Sequence, residues 1–79
     1  MNEREELKEE LLWIRYRQNM LDIIENKLLE MRELAEIAKK YDLTKEELEV
    51  LNDRINNLRM QVKALDSESR KMEYGKIFE

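Results

Sequence analysis

The chain has no cysteine, no histidine and no proline, and its one glycine is Gly75. Each absence removes a class of explanation. Without cysteine there is no disulfide framework and no thiolate nucleophile, which suits a reducing compartment. Without histidine the commonest general base and the usual transition-metal ligand are missing. Without proline nothing forces a helix to break, and one glycine cannot build a phosphate-cradling loop. Hydroxyl side chains other than tyrosine are confined to Thr44, Ser67 and Ser69, with no base to activate them. No catalytic residue, cofactor or metal is therefore expected. No apolar run nears the ~20 residues of a membrane span, and the first residues are too charged for a secretion signal. The expectation is a cytoplasmic protein with no membrane contact. A net charge of −4 disfavours nucleic acid as a ligand.

What remains is a chain of 79 residues, enough for one domain at most. Charged residues make up 43% and hydrophobic residues 42%, a balance rich in Glu, Lys, Leu and Arg that reads as long helices or coiled coil. So short a chain buries little surface alone, so an oligomer or a partner is expected.

The strongest punctuation lies at residues 39–48. Lys39 and Lys40 are cations suited to a last helical turn. Thr44 followed three residues later by Glu47 is a capping box, and Leu43 and Leu48 stand where a hydrophobic staple would. The pattern predicts a first helix over about residues 4–40, a turn at 41–44, a second helix over about 45–74 ending near Gly75, and a tail at 75–79. The fold class is all-α: a two-helix antiparallel coiled-coil hairpin.

Two apolar stripes run along the first helix. Leu7, Ile14, Leu21, Leu28 and Ala35 share one heptad position, with Glu10, Arg17, Ile24, Met31 and Ala38 three residues further on. Beside them lie Trp13, Tyr16, Met20, Ile23, Leu34, Ile37 and Tyr41. The second helix carries a single seam of Leu48, Leu51, Ile55, Leu58, Val62, Leu65, Ser69 and Met72. Folding at the turn sets Ala35 against Leu51, Leu28 against Leu58, and polar Arg17 against polar Ser69. That register covers the first stripe and leaves the second over. Trp13, Tyr16, Met20, Ile23, Leu34, Ile37 and Tyr41 then form an interface, because apolar patches rich in Trp, Tyr and Met mark contact surfaces. The expectation is a homodimer forming a four-helix bundle, with Lys27 of one chain meeting Glu30 of the other.

Asn52, Asp53 and Asn56 form a cluster of poor helix formers on the second helix, a candidate polar contact surface. The turn and this helix resemble the sporulation-type aspartyl-phosphate phosphatases of spore-forming bacteria, small helical hairpins that dephosphorylate response regulators. Their second helix carries Ser-Gln-x-Leu-Asp about eight residues after the turn threonine. Here Asn52 stands at the serine position, Asp53 at the glutamine, Ile55 at the leucine and Asn56 at the final aspartate. With the glutamine and aspartate replaced, the resemblance implies a non-catalytic binder of response regulators. The residues themselves point to a non-enzymatic interaction or adaptor module. A regulator of phosphorylated response regulators and a small subunit of a larger assembly, such as a phage or secretion component, stay open as alternatives.

Overall fold

A computed structural model describes residues 2–78, with side chains from 2 to 71. It consists of two helices, α1 (Glu3–Lys40) and α2 (Lys45–Phe78), with no strand among the described residues. Both helices start on capped turns. The Asn2 side-chain oxygen accepts from Glu5 N–H at 2.9 Å, and acidic Glu3, Glu5 and Glu6 occupy the positive end of α1. At the other end Lys39 and Lys40 sit in the last turn, and Tyr41 N–H donates to the Ile37 carbonyl at 3.0 Å.

The capping box of α2 forms as read. Glu47 N–H donates to Thr44 Oγ1, and Thr44 N–H donates to Glu47 Oε1, each at 3.2 Å. Two orphan donors of the helix start are thereby satisfied. The far end differs from expectation. α2 continues through Gly75 to Phe78 rather than ending there. One glycine costs a helix interior roughly 1 kcal/mol relative to alanine, too little alone to break it. Met72 and the tail hydrophobes Ile77 and Phe78 lie outside the described side chains.

The helices run antiparallel. Lys27 Nζ donates to Gln61 Oε1 at 2.6 Å, and Arg54 Nη2 donates to Glu30 Oε1 at 2.9 Å, so numbers rise along α1 as they fall along α2. The hairpin is long and thin, 62 × 17 × 12 Å. Its radius of gyration is 18.3 Å, where a compact domain of this length has about 12 Å.

Burial along α2 follows the expected seam. Leu58 is wholly buried, Ser69 is buried, and Leu51, Ile55, Val62 and Leu65 are half-buried. Leu48, nearest the turn, is exposed. Burial along α1 does not follow the expected register. Its covered residues include Trp13, Arg17, Met20, Ile24, Lys27, Met31, Leu34 and Ala38, in unbroken steps of four and three, with Glu30 half-buried beside them. The helix is turned by one heptad position, about 50° about its axis, from the register drawn on the Leu7 row. Leu28, expected opposite Leu58, is half exposed at 49%. The turn places Lys27 at the seam, where it reaches Gln61, and Glu30 at its edge, where it reaches Arg54. Both polar residues expected to meet between chains are thus used within one hairpin.

Candidate functional site

Four adjacent rows of α1 are apolar, and α2 covers the central two. The outer rows are left as margins on opposite sides of the hairpin. One margin carries Tyr16, Ile23 and Ile37; the other carries Leu7, Ile14, Leu21 and Leu28, all of them exposed.

The expected interface residues divide accordingly. Met20 is buried at 5% exposure, and Trp13 and Leu34 are half-buried in the seam. Tyr16, Ile23, Ile37 and Tyr41 remain at the surface. The structure does not bring the seven residues together on one free face. The row of Leu7, Ile14, Leu21 and Leu28, which the sequence pattern assigns to the inward face, lies outside the expected interface set and is exposed. Its signal in the sequence was present, since apolar positions covering nearly half of a helix exceed what one partner can hide.

The tyrosine side opens near the turn into a groove of about 510 Å³. Leu34, Ile37, Leu43, Val50 and Leu51 give it apolar walls, and Glu46, Glu47 and Arg54 add charge. Val50 is 71% exposed, so this apolar surface is presented outward rather than closed over. At the opposite end of the helices, Arg17 lies with its guanidinium 5.9 Å from the Trp13 ring centre, within cation–π range. Lys40 stands similarly over Tyr41 at 5.8 Å.

Asn52, Asp53 and Asn56 are all exposed on α2. Their neighbour Asn57 accepts a 3.4 Å hydrogen bond from Gln61, whose oxygen takes Lys27, so that asparagine braces the seam from outside. One carboxyl is tuned. The Thr44 backbone N–H, and next its side chain, hold Glu47 below the ordinary carboxylate range by bonding its charged form. That is the chemistry of a helix start, since the group is fully exposed and faces no second reactive residue.

No group of three or more acidic side chains among the described residues is placed to hold a metal ion. No helix there is long and apolar enough to cross a membrane. Neither a protein-family model, nor a curated protein, nor a solved structure matches the chain.

Proposed function

We propose that this protein is a non-enzymatic interaction module that works as a homo-oligomer, with hairpins pairing into four-helix contacts. The observation that carries this reading is the rotation of α1. A helix pair with only itself to satisfy would turn the Leu7, Ile14, Leu21 and Leu28 row inward. Instead α2 covers a row containing Lys27, and the leucine row stays outside. Covering a Leu or Ile side chain fully is worth about 1.5–3 kcal/mol, so several half-exposed ones represent a sizeable fraction of a small domain's stability. Leucines spaced by sevens along one row suit a partner that is itself helical.

The reading has a direct test in unfolding. If hairpins stabilise one another, the midpoint of urea unfolding rises with protein concentration, because association draws on the folded state alone. A midpoint that stays fixed over a hundred-fold range of concentration contradicts it. The non-enzymatic part has its own check. Incubation with a phosphorylated receiver domain should leave the lifetime of the acyl phosphate unchanged. Faster loss that disappears in Asp53→Ala would establish a phosphatase instead.

A further inference from the structure

The two sides of the hairpin carry opposite charge. On the tyrosine side lie the α1 rows of Tyr16 and Glu33 and the α2 rows of Glu47 and Val50, each row taking every seventh residue. Among the described side chains these rows hold six carboxylates and three cations. On the leucine side lie the α1 rows of Leu7 and Leu11 and the α2 rows of Lys45 and Glu49. These hold seven cations, among them Arg32, Lys39, Arg59 and Lys63, against three carboxylates. Internal pairing does not erase the difference. Arg54 with Glu30 removes one charge of each sign from the tyrosine side, Arg70 with Asp66 does the same on the leucine side, and Arg32 pairs with Glu36 outside these rows, which leaves the leucine side with five cations against two carboxylates.

Resting on the reading above, we infer that the leucine side of one hairpin docks on the tyrosine side of a second copy, and that this contact repeats. Each side has an apolar strip to bury and a field that its counterpart matches. Like sides facing each other would set cation against cation or carboxylate against carboxylate, which disfavours a symmetric pair. The area agrees with two docking sides rather than one. The chain exposes 6935 Å², whereas a compact monomer of 9.7 kDa exposes about 5,100 Å². The excess, about 1,800 Å², is close to two interfaces that each take about 800 Å² from a partner. An unlike-sided contact does not close on itself unless its rotation forms a ring, so the assembly grows by stacking.

Complementation between blocked variants tests this. Tyr16→Gln with Ile23→Gln blocks the tyrosine side, and Ile14→Gln with Leu21→Gln blocks the leucine side. All four residues are exposed, so circular dichroism should show both variants as helical as the parent. Each variant alone should sediment as a monomer, while an equimolar mixture should give a one-to-one dimer and nothing larger. The unmodified chain should show mass increasing with concentration and falling in high salt. A third variant, Arg59→Glu with Lys63→Glu, leaves every apolar residue in place and should weaken association by at least about ten-fold. If one blocked variant still dimerises alone while the other does not, the contact is symmetric and this inference fails although self-association stands. If the unmodified chain is a monomer throughout, both fail.

Discussion

Lys27 on α1 donates a 2.6 Å hydrogen bond to Gln61 on α2, across the seam of the hairpin. A lysine is an unusual residue for such a position, and here its stem is half-buried while its ammonium finds an oxygen at the edge. One polar seam residue of this kind sets register at a cost in stability. Lys27→Leu should therefore raise the unfolding free energy read from urea denaturation by an amount on the order of 1 kcal/mol. A marked fall would mean that the hydrogen bond contributes more than the lysine's burial costs.

Arg54 and Glu30 form the second cross-hairpin contact, with guanidinium nitrogens 2.9 and 3.2 Å from one carboxylate oxygen. Both side chains are close to half exposed, so solvent screens the pair. In the Tyr16→Gln, Ile23→Gln background, where no second copy covers this side, a double-mutant cycle on Arg54→Ala and Glu30→Ala should give a coupling of about 0.2–1 kcal/mol that shrinks in high salt. A coupling several times larger would show the pair to be shielded by a neighbouring copy.

The capping box offers a pH-dependent readout. Thr44→Ala should cost about 1 kcal/mol in chemical denaturation. Glu47 has a folded pKa lowered by bonds from Thr44. A lowered carboxyl contributes stability that is present above its unfolded value and is lost as pH falls through its folded value. The parent should therefore exceed Glu47→Gln in stability at neutral pH, and the gap should close on acidification through the lower carboxylate range. A gap that widens in acid would contradict this assignment.

Packing should separate sharply by row. Leu58→Ala and Met20→Ala, both buried in the seam, should each cost roughly 2–5 kcal/mol. Met60→Ala, at 71% exposure, should stay within about 0.5 kcal/mol of the parent. Equal effects at Leu58 and Met60 would place the seam elsewhere on α2.

These residues also show how far the sequence could be read. The two helices, the turn and the Thr44–Glu47 box were legible because they depend on neighbours within four residues. The α2 seam was legible because only one face of that helix is apolar. The rotation of α1 was not, because four adjacent rows are apolar there and periodicity cannot say which two are covered. The information lay in the polar residues. Lys27 and Glu30 were visible as a break in the stripe, but nothing local showed that Gln61 and Arg54 stood within reach. The expected site consequently mixed seam residues such as Met20 with surface residues such as Tyr16, and it omitted the leucine row. Charge was likewise legible only as a total of −4. Its separation onto two sides depends on the axial rotation of both helices.

The central claim is that one hairpin does not cover its own apolar surface and that further copies do. Sedimentation equilibrium of the unmodified chain in low salt addresses this most directly. A mass of at least two 9.7 kDa chains is expected at micromolar concentration, rising as the protein is concentrated. A fully helical, well-folded species that stays at 9.7 kDa across that range would contradict it.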